Sequence, residues 1–289
     1  MRKKAPPRPS PKGREKKAPC FGGGWGRLFA FWLVCLGAAA QTPVLLRQFT
    51  RVAAVAASVD NHDRVVAADA QGNITTYDTL GNALNVYSPN TVATVTSLEA
   101  WRSMQVLVFY RELQQFVVLD RFLTPLSGFP YPARVPPDLI GFARVMAPAY
   151  DDRFWVFDDT DFSLKKYDPL LQTVSFNSPL GLVLDARDYQ ITFMREYQNQ
   201  LFVADAQAGV LVFDNLGNYR KKLPFAGLDI LHFAGNELYY LQGKTVYFHD
   251  LYTQNQRQIT LPEPARLALW AGRRLFVFTD KGGFLYDLR

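Results

Sequence analysis

The stretch RVVAADAQGNITTYDTLGN, residues 64–82, decides the fold because it recurs as QLFVADAQAGVLVFDNLGN, residues 200–218. The two copies align without a gap and share eight of nineteen positions. Each copy runs from an apolar segment through a short turn into a second apolar segment, and then reaches an aromatic residue followed by Asp. Such self-similarity between distant parts of one chain indicates a repeat protein.

The same pattern recurs beyond these two stretches, and an Asp closes each copy. Six dipeptides mark the ends of the second apolar segments: Tyr77-Asp78, Leu119-Asp120, Tyr167-Asp168, Phe213-Asp214, His249-Asp250 and Tyr286-Asp287. Successive Asp residues are 42, 48, 46, 36 and 37 positions apart. A four-stranded propeller blade has about this length. The spacing therefore predicts six blades in an all-β protein.

Each repeat contains segments for four strands. The second strand is a nearly continuous apolar run, as in Val106–Tyr110 and Leu201–Ala204, which is typical of a strand covered on both faces. After the closing Asp, Gly81-Asn82 and Gly217-Asn218 supply turn residues that tolerate positive φ. One Asp at the same place in every repeat indicates a carboxylate that accepts hydrogen bonds from its own turn, rather than a ring of functional acids.

The two ends of the chain complement each other. The sixth repeat stops at Arg289, directly after its third strand, and lacks an outermost strand. A spare strand, Val44–Phe49, precedes the first complete repeat. Pairing the two would remove the exposed edge of an open array. We therefore predict a six-bladed β-propeller over residues 41–289, closed by an N-terminal strand that completes the last blade.

The repeats resemble those of NHL-like and related six-bladed propellers. Two segments carry the resemblance, Leu201–Asp205 and Val212–Gly217, and it extends over roughly residues 44–289. The chain departs from NHL repeats because it lacks a regular Pro-x-Gly-Ile/Val-Ala opening, to which Pro179–Asp185 is the nearest match. The resemblance implies an architecture and no particular function, because propellers include binding proteins and several types of enzyme.

The first forty residues read as a basic leader with a secretory signal peptide. Leu28–Ala40 is an apolar run of thirteen residues behind a basic segment, and it ends in three alanines. This order predicts cleavage before Gln41 and export to the periplasm, the cell surface or the medium. A membrane span needs about 20 apolar residues, so we expect none in the mature chain. A lipoprotein site at Cys35 and an uncleaved anchor remain the alternatives.

The basic charge of the chain belongs to this leader. Residues 1–27 hold nine Lys and Arg and one Glu, which leaves 23 basic and 25 acidic residues for positions 41–289. A domain with a net charge of −2 lacks the footprint expected for binding nucleic acid. Cys20 and Cys35 are the two cysteines of the chain. The body therefore has no disulfide, thiol nucleophile or Cys-ligated zinc.

No coherent catalytic set is visible in the body. His62, His232 and His249 fall in different repeats without metal-ligand spacing or an accompanying nucleophile motif. The predicted inner strands, which would line a central channel, offer four charged residues: Glu99, Arg144, Arg195 and Glu196. Arg near the axis would oppose a divalent cation. We therefore expect no metal, no cofactor and no enzymatic activity. The alternative is a metal-dependent hydrolase or lactonase-type propeller with an active site in the channel.

The longest irregular stretch, Leu123–Ile140, is the best candidate for a contact surface. It should comprise the outer strand of blade two and the crossing to blade three, on the face where propellers usually bind ligands. Prolines stiffen it, and Tyr and Arg are favoured in interfaces. The candidate partner-binding residues are Phe129, Tyr131, Arg134 and, from an acidic cluster nearby in sequence, Asp159 and Asp161. That cluster is also compatible with solvated turns or a surface Ca²⁺.

These observations predict an exported binding or interaction scaffold of the cell envelope. Its partner would be a protein or another envelope component, and the chain is expected to be monomeric. Binding of a sugar or cofactor in the channel has only Trp101 and Trp270 in its favour, and core packing explains those as well.

Overall fold

The computed structural model describes residues 43–102, 104–185 and 187–288, so the predicted leader of residues 1–40 lies outside the described residues. Within these ranges the regular elements are all strands, arranged as six four-stranded antiparallel sheets. This arrangement confirms the predicted all-β, six-bladed propeller.

Each blade takes four strands. Numbered in chain order, the strands are β1 Pro43–Thr50, β2 Ala56–Val59, β3 Val65–Ala68, β4 Ile74–Tyr77, β5 Ala83–Tyr87, β6 Ser97–Glu99, β7 Val106–Tyr110, β8 Gln115–Leu119, β9 Ala133–Arg134, β10 Ala143–Pro148, β11 Phe154–Asp158, β12 Ser163–Asp168, β13 Thr173–Pro179, β14 Ile191–Tyr197, β15 Gln200–Asp205, β16 Gly209–Asp214, β17 Tyr219–Leu223, β18 His232–Ala234, β19 Glu237–Gln242, β20 Thr245–Asp250, β21 Gln256–Thr260, β22 Leu267–Ala271, β23 Arg274–Thr279 and β24 Gly282–Leu288. Blades one to five take β2–β5, β6–β9, β10–β13, β14–β17 and β18–β21, and blade six joins β22–β24 to β1.

The N-terminal strand completes blade six as predicted. β1 pairs antiparallel with β24, from Pro43 opposite Leu288 to Thr50 opposite Gly283. The Phe49 ring packs edge-on against Tyr77 of blade one and against the rings of blade six. The strand that closes the ring therefore also joins its first and last blades.

The core consists of apolar layers between neighbouring blades. In β7, alternate side chains belong to two different layers: Val106 and Val108 pack against blade one, whereas Leu107 and Phe109 pack against blade three. A β-strand points successive side chains to opposite faces. Because both faces are covered, the whole strand must be apolar, which explains the continuous runs seen in the sequence.

The recurrent Asp residues cap their turns. Asp78 accepts hydrogen bonds from the backbone N–H groups of Leu80 and Asn82, both at 2.8 Å. Asp214 does the same for Leu216 and Asn218, at 3.0 and 2.8 Å. The turns that follow Asp120, Asp168 and Asp250 use the same carboxylate acceptor. The structural interpretation of the repeated Asp is confirmed in these five blades.

Strand direction gives the ring two distinct ends. At one end, which we call the crossing end, each inner strand begins after the chain has crossed from the preceding blade. The turns between second and third strands lie at the same end, because neighbouring strands are antiparallel. The Asp-capped turns lie at the opposite end.

Candidate functional site

The inner strands meet across the axis through a buried ion pair. The Arg195 side chain, on the inner strand of blade four, donates from Nε to Glu99 Oε2 at 2.7 Å and from Nη2 to Glu99 Oε1 at 3.0 Å. Glu99 lies on the inner strand of blade two. The same Nη2 is 3.3 Å from Ser58 Oγ on the inner strand of blade one. Residues of three blades thus meet at one bidentate contact, which is the geometry in which Arg and a carboxylate bind most strongly.

Both partners of this pair are almost completely buried. Burial raises the pKa of Glu99, and the charge and hydrogen bonds of Arg195 oppose that rise. His232, on the inner strand of blade five, is also buried, and burial together with the Arg195 charge lowers its pKa to about 3. His232 is therefore neutral at physiological pH. Its ring stacks on Tyr239 with 5.3 Å between centroids.

The remaining charged residues of the inner strands are also engaged. Glu196 accepts a 2.7 Å hydrogen bond from Trp155 Nε1, and burial raises its pKa. Arg144 donates from Nε to Asp159 Oδ1 at 2.6 Å, and the Tyr189 hydroxyl donates to the same oxygen at 3.0 Å. All four charged side chains predicted on the inner strands therefore have protein partners.

A pocket of about 670 Å³ opens at the crossing end. Its walls come from residues next to the starts of the inner strands of blades five, six and one and from the turn that follows β19. They are Ala54, Val55, Gly227, Asp229, Ile230, Leu241, Gln242, Gly243, Ala265, Arg266 and Leu267. The inner strand of blade five, β18, has only three residues and begins at His232. We call this pocket the mouth.

The mouth has the size of a ligand site but few polar side chains. Pockets that bind small molecules typically measure about 300 to 1,000 Å³ and combine apolar walls with a few placed polar groups. Here Asp229 and Arg266 are the ionisable residues of the lining, and Arg266 is already paired with Asp280. Polar atoms make up most of its exposed lining, so the mouth can offer hydrogen bonds to a ligand beside a single carboxylate.

The acidic cluster of blade three comprises Asp158, Asp159 and Asp161, and a lysine side chain pairs with two of these carboxylates. The buried Lys165 ammonium lies 2.6 Å from Asp158 Oδ2 and 2.7 Å from Asp161 Oδ2. Burial raises the pKa of Asp158, but hydrogen bonds from Lys165 and from three backbone N–H groups outweigh it and lower that pKa overall. Within residues 43–102, 104–185 and 187–288, no group of three or more His, Cys, Asp or Glu side chains could hold a metal ion.

The candidate contact residues of blade two lie on a split outer strand. Pro125 bridges to Leu119, the chain then loops out, and pairing resumes where Ala133 and Arg134 meet Phe116 and Gln115. The outer strand and the crossing to blade three therefore occupy this stretch, as predicted. The inserted loop packs against both neighbouring blades: the Phe129 ring lies near Phe154 of blade three, and the Tyr131 hydroxyl is 3.1 Å from that of Tyr87 in blade one.

The five predicted contact residues differ in accessibility. Tyr131 and Arg134 are exposed, whereas Phe129 is half-buried and its ring is 6.5 Å from that of Phe154. Asp159 and Asp161 form the internal ion pairs already described, and Asp161 remains partly exposed. The sequence did not identify the mouth residues, although their position just before the inner strands was a usable signal.

No helix among the described residues is long and apolar enough to cross a membrane. No protein-family model matches the chain. No curated protein matches its sequence either.

Solved structures resemble the chain in fold. The β-propeller domain of Cps50 (Swd1) from Myceliophteria thermophila is 10% identical, with a TM-score of 0.59 over 86% of this chain and 100% of that one. Virginiamycin B lyase from Staphylococcus aureus is 9% identical, with a TM-score of 0.57 over 86% and 99%. The extracellular domain of the putative one-component system BT4673 from B. thetaiotaomicron is 13% identical, with a TM-score of 0.52, and the match covers 80% of this chain but 32% of that one. Identities this low establish a likeness of fold, that of a β-propeller, and nothing finer.

Proposed function

We propose that the chain is an exported, non-enzymatic scaffold of the cell envelope that binds a protein or another envelope component at the mouth. One observation carries the proposal: the ring has a 670 Å³ pocket at its crossing end, while the charged side chains of its inner strands are paired with each other or with neighbouring groups. A large pocket with a few convergent polar groups is the default binding site of an uncharacterised fold.

The state of the ionisable groups favours binding over catalysis. A general acid or base must reach the substrate and change protonation near the working pH. Glu99 is buried and forms an ion pair with Arg195, and the low pKa of His232 keeps the His232 ring neutral. The mouth itself presents Asp229 and Gln242 beside a mainly polar exposed surface. This set supports recognition of a partner segment that carries hydrogen-bonding groups, including a donor or cation for Asp229.

Export rests on the predicted signal peptide of residues 1–40. One of the similar structures is an extracellular domain, which is in keeping with this location. The test is to express the full chain in a Gram-negative host, fractionate the cells and sequence the N-terminus of the recovered protein. We expect recovery outside the cytoplasm with Gln41 as the first residue. An uncleaved chain confined to the cytoplasm would contradict export.

The binding role is tested by site-specific photocrosslinking in the native host. A benzophenone amino acid at Asp229 should give discrete covalent adducts, whereas the same amino acid at Tyr219, exposed on the outer strand of blade four, should not. Adducts at both positions alike, or at neither, would contradict a contact centred on the mouth.

A stoichiometric divalent ion in the purified protein, lost on Glu99→Gln, would instead favour a metal-dependent hydrolase.

A further inference from the structure

A groove of about 510 Å³ lies at the perimeter, between the outer half of blade six and the crossing that leaves blade five. We call it the edge groove. It shares no lining residue with the mouth, and apolar atoms make up most of its exposed surface. Its lining comes from β1, β23, β24 and the turns beside them: Pro43, Leu45, Gln48, Pro262, Glu263, Val277, Thr279, Lys281, Phe284 and Tyr286. The edge groove is therefore a separate site that favours apolar groups.

The outer strand of blade six carries a run of exposed apolar side chains beside this groove. Val44, Leu45 and Leu46 are 39, 53 and 45% exposed. Leu45 lines the edge groove, whereas Val44 and Leu46 lie outside its lining. Single exposed apolar residues are common on protein surfaces, but a run of three is unfavourable unless it has a function. Within the part of the chain that the structure describes, no other three consecutive large apolar side chains are exposed.

The outer strands of blades two and four show how an edge is protected against a second chain. β9 has only two residues. β17 presents Arg220, Lys221 and Lys222 in succession, and all three are exposed. Charges on an edge strand keep like chains apart. On β1 the charged side chain is Arg47, which donates a 2.9 Å hydrogen bond to Asn82 of blade one. The apolar run of β1 therefore lacks this protection.

The charges around the edge groove allow two copies of this surface to approach each other. The lining contains one carboxylate, Glu263, and one ammonium group, Lys281. These two groups lie 2.8 Å apart and are mostly exposed, so they neutralise each other at the rim. Two copies of the groove would thus meet without net like charge, which would not be true of two copies of β17.

We infer that the edge groove and the apolar run of β1 form a twofold contact between two copies of this chain, in place of the monomer expected from the sequence. A twofold contact requires one patch that is complementary to itself. Here the exposed apolar side chains and the groove that can receive them belong to the same strand. Val44 and Leu46 of each copy would enter the edge groove of the other. The inference goes beyond the proposed function and does not depend on the mouth.

The extent of this contact predicts a weak dimer. β1 is the outermost strand of its sheet, but its pairing with β24 has register shifts after Leu45 and after Gln48. Such bulges disrupt the regular edge to which another strand could pair, so burial of side chains in the groove must supply most of the contact. A patch of one strand and one groove is smaller than the standard interface of about 800 Å² per partner. We therefore expect a reversible dimer with a Kd in the micromolar range.

Sedimentation velocity of the purified chain tests the dimer at concentrations from about 1 to 200 µM, around the expected Kd. The mass should rise from one chain to two and stop there, because a twofold contact is closed. Val44→Lys/Leu46→Lys gives β1 the protection that β17 has and should weaken the dimer by about tenfold or more. Leu170→Lys/Leu171→Lys is the matched control, because these neighbouring residues are 59 and 70% exposed in a turn of blade three. It should leave the Kd unchanged.

Photocrosslinking locates the contact in a chain that keeps its other side chains. A benzophenone amino acid at Leu46 should give an adduct of two chains that maps to the edge groove of the second copy, whereas the same amino acid at Leu171 should give none. A chain that stays monomeric over the whole range, a mass that rises beyond two chains, or a dimer unaffected by Val44→Lys/Leu46→Lys would overturn the inference. Crosslinking at Asp229 is independent of these variants, so failure at the edge groove would leave the proposed function standing.

Discussion

Glu99 and Arg195 are two residues whose strands could be predicted from the sequence but whose pairing could not. Both were assigned to inner strands from the sequence, yet nothing in the sequence indicated that they face each other across 96 positions. The partner of an inner-strand residue depends on the rotation between blades, which only the closed ring defines.

Asp158 and Asp205 illustrate the same limit. Both end a second strand, but Lys165 pairs with Asp158, whereas Asp205 Oδ2 is buried without a described partner.

The buried pair leads to a prediction on stability. Arg195→Met leaves the Glu99 carboxylate buried and unpaired, which should reduce the free energy of unfolding by about 3 to 5 kcal/mol. Glu99→Leu/Arg195→Met, which removes both charges, should recover most of that loss. Urea unfolding followed by tryptophan fluorescence measures both variants.

An exposed pair provides the control for this cycle. Lys281→Met breaks the Lys281–Glu263 pair, whose two side chains are mostly exposed, and should leave the urea midpoint nearly unchanged, because solvent screens such a pair. If the double variant were as unstable as Arg195→Met, the axial pair would not act as a coupled unit.

At the scale of elements, the Asp-capped turns were the most predictable part. The Asp-x-Leu-Gly-Asn sequence specified the cap and the glycine with positive φ, and both are present at Asp214 and Gly217. The sequence could not show that the turn of blade four packs against blade three. A Cβ on Gly217 would lie 2.3 Å from the Phe176 ring. This glycine therefore serves two requirements, the backbone conformation and the close approach of a neighbouring blade.

Two glycine substitutions separate these requirements. Gly243 also has a positive φ, of 61°, but no atom lies within 4 Å of the position of its Cβ. Gly243→Ala should therefore cost about 1 kcal/mol, the backbone penalty alone. Gly217→Ala adds displacement of the Phe176 ring and should cost about 2 to 4 kcal/mol. Thermal unfolding of both variants checks the difference, and equal losses would contradict the proposed packing role.

At the scale of the whole molecule, the number of blades and their closure followed from five spacings between six Asp residues and from two complementary ends. The mouth did not follow, because its walls combine the crossing into blade five with residues at the starts of the inner strands of blades six and one, which are far apart in the sequence. The mouth joins residues of blades five, six and one, so it exists only if the ring is closed.

That closure is tested most directly by a disulfide between the first and last strands. Val44 lies opposite Asp287 in the β1–β24 pair, so Val44→Cys/Asp287→Cys, in a background with Cys20→Ser and Cys35→Ser, places two thiols side by side. Val44→Cys/Lys281→Cys is the matched control, because Lys281 lies near the far end of β24, about 20 Å along the strand. Peptide mapping by mass spectrometry should find an intramolecular disulfide between the two introduced thiols in the monomer and none in the control. The bond should also stabilise the fold by about 4 to 5 kcal/mol. A disulfide found only between two chains, or no bond at all, would contradict a ring closed by its own N-terminal strand.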